Sequence, residues 1–198
     1  MIANIGNSSS IKTGKMQLAI IQHSLPYICT MKIFLIGFMG SGKSHWGKLW
    51  ADVNEMNFYD LDVAIERTEQ KSVLDIFEKY GEDYFRKQES IELRHMGGYE
   101  NCIIACGGGT ACFDNNIEWM NENGLTIYLH ASPNELLETI MKEKDKRPLL
   151  KKINEAELLF FIEKKLEERK VFYEQAKLRL RVEDLNEQIF KKIISSPN

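Results

Sequence analysis

The sequence predicts a three-layer α/β sandwich, in which helices flank both faces of a five-stranded parallel sheet. Two observations carry this prediction. From Lys32 onward, short apolar runs alternate with longer segments of helical periodicity, as they do in parallel sheets covered by helices. In addition, the glycine-rich stretch GFMGSGKSH, residues 37–45, lies between the first apolar run and the first helical segment.

The composition fits one soluble domain. The chain has 198 residues, of which 43% are hydrophobic and 28% are charged, so it can bury a sizeable core. The formal net charge is only −3, which gives no overall attraction to nucleic acid or to an anionic membrane. We therefore expect neither a nucleic-acid partner nor a membrane partner, and a protein of this size is expected to be a monomer.

The cysteines indicate a reducing compartment. The chain has no C-x-x-C pair and its histidines are scattered, so neither a zinc site nor a disulfide framework is expected. No apolar run approaches the roughly 20 residues that a membrane span needs. We therefore predict a cytoplasmic protein with reduced thiols at Cys29, Cys102, Cys106 and Cys112.

The first 30 residues differ from the rest of the chain. They contain the polar, turn-like runs GNSSS and KTGK, and Met31 stands directly before the first predicted strand. We expect residues 1–30 to be a dispensable extension with the functional start at Met31. Residues 31–198 are then expected to form a single domain.

Five apolar runs after Met31 are predicted strands. They are KIFLIGF (32–38), NFYD (57–60), CIIAC (102–106), TIYLH (126–130) and LRLRV (178–182). The charged segment KEKDKRPLLKK, residues 142–152, falls between two predicted helices and contains a proline, so a mobile surface segment is expected there.

Helix boundaries are marked by capping residues. Two capping boxes, Ser72 with Asp75 and Ser132 with Glu135, predict the starts of two helices, and Pro133 fits the first turn of the second. Helices are predicted to end at two glycines, Gly81 and Gly124.

The glycine-rich stretch predicts a nucleotide phosphate loop, because Gly37, Gly42, Lys43 and Ser44 fit the pattern G-x-x-x-x-G-K-[ST]. Glycines let the backbone N–H groups converge on phosphate oxygens at a helix N-terminus, where the helix dipole favours negative charge. Lys43 is expected to reach the β and γ phosphates, and Ser44 to bind Mg²⁺. The full set of predicted nucleotide contacts in the loop is Gly40, Ser41, Gly42, Lys43, Ser44 and His45.

Two aspartates follow the second predicted strand in FYDLDVAIE. Asp60 and Asp62 are two residues apart, so on a strand end both side chains would point the same way, toward the phosphate loop. One carboxylate can then hold Mg²⁺ while the other accepts a hydrogen bond from an incoming hydroxyl group. Taken without the phosphate loop, the same pair would be solvated turn residues.

Two further motifs indicate an acidic, hydroxylated acceptor. Arg86 has Glu89 three residues later, and a helical neighbour at that spacing can orient an arginine for bidentate binding of a carboxylate. Gly107, Gly108 and Gly109 follow the third strand, where they offer bare backbone to a ligand. An exposed helical ion pair and a plain loop are the alternatives.

In this order and at these spacings, GFMGSGKS, the D-x-D of FYDLDVAIE, the FR of GEDYFRKQE, CGGGT, RPLL and ERKVFYEQA together resemble the shikimate kinases. The resemblance spans roughly residues 31–182. It implies a P-loop fold like that of the nucleoside monophosphate kinases, with a lid at about 142–153 and a shikimate-binding region at about 61–95. The implied reaction transfers the γ-phosphoryl group of ATP, with Mg²⁺, to the 3-hydroxyl of shikimate, in chorismate and aromatic amino acid biosynthesis.

The resemblance also implies a role for each matching residue. Lys43, Asp62 and Arg147 would be catalytic, with Asp62 as the base and Arg147 as the lid arginine that also contacts the nucleotide. Ser44 and Asp60 would bind the metal. The shikimate contacts would be Asp62, Arg86, Gly107, Gly108, Gly109 and Arg169.

The sequence departs from this family in two places. His45 and Trp46 follow the loop serine, where the family more often has threonine and an aliphatic residue. A further family arginine near the adenine is missing from ETIMKEKDK, so either Lys142 or Lys144 substitutes for it or the contact is absent.

Three other functions fit the sequence less well. A gluconate kinase of the same fold is disfavoured by the paired arginines and the three glycines. A GTP-hydrolysing switch would carry an N-K-x-D motif, which the sequence lacks. A relative that has lost catalysis is disfavoured because the residues implied in catalysis and in metal and carboxylate binding are all present: Lys43, Asp60, Asp62, Arg86, Arg147 and Arg169.

Overall fold

The computed structural model describes residues 31–142 and 154–195, in which five strands form one parallel sheet. The strands are β1 (Lys32–Ile36), β2 (Asn57–Asp60), β3 (Cys102–Ala105), β4 (Leu125–His130) and β5 (Leu178–Arg181). The predicted α/β fold and its five parallel strands are confirmed. β1 ends two residues earlier than predicted, because the chain turns at Gly37, which has a φ of 143°.

Seven α-helices flank the sheet within the described residues. They are α1 (Lys43–Val53), α2 (Leu61–Glu69), α3 (Val73–His95), α4 (Asn116–Asn123), α5 (Pro133–Lys142), α6 (Glu155–Tyr173) and α7 (Glu187–Ser195). Both predicted capping boxes are present, at Ser72 with Asp75 and at Ser132 with Glu135. In the described parts of the chain, no helix combines the length and the hydropathy needed to cross a membrane.

The central strand is buried on both faces. All five residues of β1 are buried. Ile33 and Leu35 pack in the core on the side of α1 and α7, whereas Phe34 and Ile36 pack in a second core with residues of α2 and α3. Because successive side chains of a strand point to opposite faces, this run of apolar residues serves both layers.

The sheet order places a crevice at the end of β1. The order is β2-β3-β1-β4-β5, so the chain moves to one side of β1 for β2 and β3 and to the other side for β4 and β5. In open parallel sheets, ligands bind at the carboxyl ends of the strands where the order changes direction. The phosphate-loop motif follows β1 directly and therefore lies at this position.

Gly81 does not end a helix outright, as the sequence predicted, but kinks α3. It has φ 81° and ψ 174° within the helix Val73–His95, and the helix resumes on its other side. The kink sets the direction of the second half of α3, which carries Arg86 and Glu89.

The kink gives a stability prediction with a matched control. A Cβ at Gly81 or at Gly98 would meet no atom within 4 Å, but only Gly81 has a positive φ. We expect Gly81→Ala to lower the free energy of unfolding by about 1–3 kcal/mol through backbone strain. Gly98→Ala is expected to change it little. Urea unfolding of both variants checks this, and equal effects would contradict the strain explanation.

Candidate active site

The phosphate loop has the backbone shape that its glycines predict. Gly40 and Gly42 have φ values of 82° and 83°, and Gly42 is the N-cap of α1. A Cβ at Gly37 would lie 2.7 Å from the backbone oxygen of Leu129 in β4. A side chain is therefore excluded at Gly37 by the neighbouring strand, and at the other two glycines by backbone conformation.

Two polar side chains of the loop are buried. Lys43 is 9% exposed, and its Nζ donates to the backbone oxygens of Gly37 at 2.8 Å and Phe38 at 2.9 Å. Since an ammonium group has three N–H donors, one remains for a phosphate oxygen. The Ser41 hydroxyl is buried and has no hydrogen-bond partner in the described structure. Buried polar atoms without partners are rare, so a loop with an orphaned hydroxyl fits an anionic ligand that supplies the acceptor.

A cleft of about 560 Å³ lies over the loop. Its lining includes the predicted loop and metal residues and part of the predicted acceptor set, namely Gly40, Ser41, Gly42, Lys43, Ser44, His45, Asp60, Asp62, Gly107 and Gly108. The other predicted acceptor residues, Arg86, Gly109 and Arg169, are not among the residues that line it. Trp46, Cys106, Thr139 and Val182 also line it and were not predicted from the sequence.

The predicted metal residues are in direct contact. The Ser44 hydroxyl donates to Asp60 Oδ2 at 2.5 Å, and Asp60 caps the start of α2. Within the described ranges, no group of three or more His, Cys, Asp or Glu side chains could hold a metal ion. One carboxylate and one hydroxyl match the way in which proteins bind Mg²⁺ together with substrate phosphates. The donor set thus fits Mg²⁺ brought by a nucleotide.

Asp62 lines the cleft as predicted, but from a different secondary-structure element than the one predicted. It lies in the first turn of α2 rather than on the strand end, while Asp60 is the last residue of β2. Alternation along a strand is therefore the wrong reason for its position. Burial, together with the negative charges of Asp60 and Glu89, raises the pKa of the Asp62 carboxyl to about 6. A carboxylate tuned toward neutrality is suited to general base catalysis.

The opposite shift is found at the lysine of the loop. Burial lowers the pKa of Lys43 to about 8, and the nearby Asp62 counteracts part of this shift. Both groups remain charged near pH 7. Their cleft therefore holds one cation and one carboxylate that both ionise close to neutrality.

Arg86 is held by a buried carboxylate. Its guanidinium donates to Glu89 Oε2 at 2.7 Å, and Glu89 is fully buried. The other Glu89 oxygen accepts a 2.5 Å hydrogen bond from the Thr110 hydroxyl. A second acidic partner, Glu82, is 55% exposed and lies 3.0 Å from Arg86. The ion pair is therefore an ordered, desolvated element and not the exposed helical pair that was the alternative.

The three glycines lie against this pair and against Arg169. A Cβ at Gly107 would be 2.5 Å from Glu89 Oε1 and 2.9 Å from Asp62 Oδ1. A Cβ at Gly109 would be 2.6 Å from the Arg86 guanidinium. The oxygen of Gly108 accepts hydrogen bonds from Arg169, at 3.0 Å, and from the Tyr173 hydroxyl.

Two arginines therefore contact the same short loop, and the absence of a side chain at Gly109 leaves room for one of them. Arg86 is at Gly109 and Arg169 is at Gly108. Guanidinium groups can bind a carboxylate through two parallel hydrogen bonds. Arg169 also lies over the Phe38 ring, at 5.4 Å, and Arg86 over the Phe113 ring, at 4.7 Å.

Sequence reasoning missed several of these partners. Thr110 stands directly after the glycines and Tyr173 follows Arg169 by one helical turn, so proximity in the sequence was the only available signal. No pattern in the sequence indicated that Phe113 or Thr139 would lie at the site. Arg147 and the predicted lid, residues 142–153 apart from Lys142, lie outside the described residues.

Comparison with known proteins identifies similar chains. The family model described as shikimate kinase matches residues 39–197. The chain is 39% identical to a shikimate kinase of Phocaeicola vulgatus, over 79% of this chain and 90% of that one. It is 42% identical to a shikimate kinase of Persephonella marina, over 76% of this chain and 88% of that one.

Two solved structures are also similar. A crystal structure of shikimate kinase from Bacteroides thetaiotaomicron has a TM-score of 0.77 and 36% identity, covering 83% of this chain and 94% of that one. A shikimate kinase from Acinetobacter baumannii in complex with shikimate has a TM-score of 0.71 and 29% identity, covering 83% of this chain and 91% of that one.

Proposed function

We propose a role for each side chain of the cleft from the premise that this chain belongs to the shikimate kinase family. The chain is an ATP-dependent kinase that phosphorylates shikimate and uses Mg²⁺. The observation that carries the residue assignment is that the phosphate loop, Asp62 and the Arg86–Glu89 pair meet around Gly107 and Gly108. The site for an anionic donor thus adjoins a site for an acidic acceptor.

The nucleotide side is assigned to the loop. Backbone N–H groups of residues 40–45 and the orphaned Ser41 hydroxyl bind phosphate oxygens, and Lys43 adds its free N–H and its charge. Ser44 and Asp60 would hold Mg²⁺, which supplies charge neutralisation of the phosphates when bound.

The acceptor side is assigned to Asp62 and the two arginines. Arg86 and Arg169 bind the shikimate carboxylate beside the glycines. The oxygen of the shikimate hydroxyl group attacks the γ-phosphorus, and Asp62 accepts the proton of that hydroxyl group. The bond between the γ-phosphorus and the oxygen that leaves with ADP breaks. Positioning and charge stabilisation supply most of the rate in such a transfer, since it needs little covalent assistance.

The assignment predicts unequal roles for the two acidic partners of Arg86. Glu89→Gln should raise the KM for shikimate at least about 10-fold, because it removes the buried charge that holds Arg86 in place. The matched variant Glu82→Gln should change it less than about 3-fold, since Glu82 is exposed. Steady-state kinetics with both substrates provide the measurement.

The KM for ATP distinguishes positioning from general damage. It should stay nearly constant in both variants, because neither glutamate touches the phosphate loop. If Glu89→Gln raised both KM values equally, the assignment of Arg86 to the acceptor would be wrong.

The remaining assignments extend beyond the described residues or beyond the cleft. Arg147 is proposed to act from a lid on the transferred phosphoryl group, and a normal kcat for Arg147→Ala would contradict this.

A cytoplasmic monomer without nucleic-acid or membrane partners is proposed from size and charge, and sedimentation analysis tests the monomer. Residues 1–30 are proposed to be dispensable, which activity of a chain starting at Met31 would test.

A further inference from the structure

The topology of the sheet indicates where the nucleobase must lie. The cleft crosses the carboxyl ends of the strands, and the acceptor residues are on the side of β2 and β3, where Asp62 and Gly107 lie. In the proposed function the phosphates bind to the loop at the end of β1. The rest of the nucleotide therefore extends to the side of β4 and β5, where Thr139 of α5 and Val182 after β5 line the cleft.

Trp46 is the aromatic residue of the cleft that packs on this side. It lies in the first turn of α1, lines the cleft, and packs against the core cluster that includes Trp50, Leu180 and Phe190, as Leu178 and Val182 also do. Thr139 and Val182 have no charge, and the Thr139 hydroxyl donates to the backbone oxygen of Glu135 at 2.9 Å. This end of the cleft therefore offers a π surface and apolar contacts.

Neighbouring aromatic rings hold the Trp46 ring in place. Its centroid is 5.7 Å from that of Trp50, which in turn stacks on Phe190 at 4.9 Å with an interplanar angle of 14°. Trp50 is fully buried, and its indole nitrogen donates to the backbone oxygen of Asn186 at 3.2 Å. A ring held in this way loses little conformational freedom when a ligand stacks on it.

We propose that Trp46 is the stacking platform for the nucleobase of the phosphoryl donor, with Thr139 and Val182 as its neighbouring walls. This inference rests on the proposed function, because it assumes that the loop binds nucleotide phosphates. Every base has a π face, so recognition by stacking tolerates different bases. The structure thus assigns a base subsite in which the stacked contact area contributes more to the affinity for the base than hydrogen bonds to its edges do.

Trp46 also has a structural contact that the test must separate from base binding. A Cβ at Gly42 would lie 3.0 Å from Trp46 Cδ1, so the indole also supports the phosphate loop. A variant that merely loosens the loop would weaken every phosphate ligand. One that loses a base contact would weaken only ligands that carry a base.

The test compares ADP with inorganic tripolyphosphate, each with Mg²⁺, by isothermal titration calorimetry. Trp46→Leu should weaken ADP binding by about 10- to 100-fold and change tripolyphosphate binding less than about 2-fold. Trp46→Phe should keep most of the ADP affinity. The matched control is Trp119→Leu, because Trp119 packs on Phe34 and Arg94, which do not line the cleft. It should bind ADP normally.

Two results would overturn the inference alone. They are an equal loss for ADP and tripolyphosphate, which would make Trp46 a support of the loop, and unchanged ADP binding in Trp46→Leu. A wild-type protein that bound neither ligand would contradict the proposed function, and the inference with it. For the wild type, GDP and CDP should bind within about 10-fold of ADP, and much stronger selectivity would contradict recognition by stacking.

Discussion

Replacing Asp62 with asparagine is expected to lower kcat by about 10²- to 10⁴-fold, because an amide cannot accept the hydroxyl proton. The affinity for ATP should change little, since the loop residues that bind phosphates are intact. Asp83→Asn, a change of an exposed carboxylate on α3, is the control and should be fully active. Steady-state kinetics and ADP titrations measure both quantities, and an active Asp62→Asn enzyme would refute the assignment of the base.

The same variant should be more stable than the wild type at pH 7. Asp62 has a pKa of about 6 in the folded protein and 3.8 ordinarily, so the folded state binds the proton more tightly. Its buried charge therefore costs up to about 3 kcal/mol above pH 6, and this cost is lost as the pH falls toward 4. The difference in unfolding free energy between variant and wild type should be largest at pH 7 and shrink by pH 4.5. A difference independent of pH would contradict the raised pKa.

Lys43→Met should lower kcat by about 10²- to 10³-fold, because it removes a cation placed where phosphate charge develops. Lys48→Met, an exposed change on the same helix, is the matched control and should be nearly neutral. Lys43 must be protonated, and burial lowers its pKa to about 8. Activity should therefore fall as the pH rises through about 8.

The pH profile links the two residues. For the free enzyme, kcat/KM should rise through about pH 6 as Asp62 ionises and fall through about pH 8 as Lys43 loses its proton. The residual activity of Lys43→Met should lack the alkaline limb, and that of Asp62→Asn the acidic limb. If Lys43→Met kept the alkaline limb, another group would have to be responsible for it.

Local patterns were sufficient to predict the fold. The apolar runs of β1 to β5, the capping boxes and the phosphate loop are encoded within a few residues each, and the structure confirms them. Gly81 was predicted to end a helix but kinks one, because the pattern gives the breaking residue and not whether a helix resumes after it.

The sequence predicted which residues belong to the site better than it predicted how they are arranged. Asp62 was expected in the cleft for the wrong reason, since the sequence did not show that α2 begins immediately after Asp60. The contacts of Thr110 with Glu89 and of Tyr173 with Gly108 join segments 21 and 65 residues apart. Such contacts depend on how the elements pack, and no local pattern reports them.

The burial of the ion pair also depends on packing. Helical spacing predicts that Arg86 and Glu89 meet, but whether such a pair is exposed or buried is decided by the neighbouring segments. Here Gly107, Gly109 and Thr110 cover it. The glycines were predicted to contact a ligand, and the structure adds that they admit the two side chains that orient the site.

The central claim is that this cleft phosphorylates shikimate, and acceptor-dependent ADP release by the purified protein with MgATP tests it most directly. Parallel reactions would contain shikimate, gluconate or no acceptor. We predict strong stimulation of ADP release by shikimate and none by gluconate, as expected of a member of the shikimate kinase family. ADP release that shikimate does not stimulate, or that gluconate stimulates equally, would contradict the account.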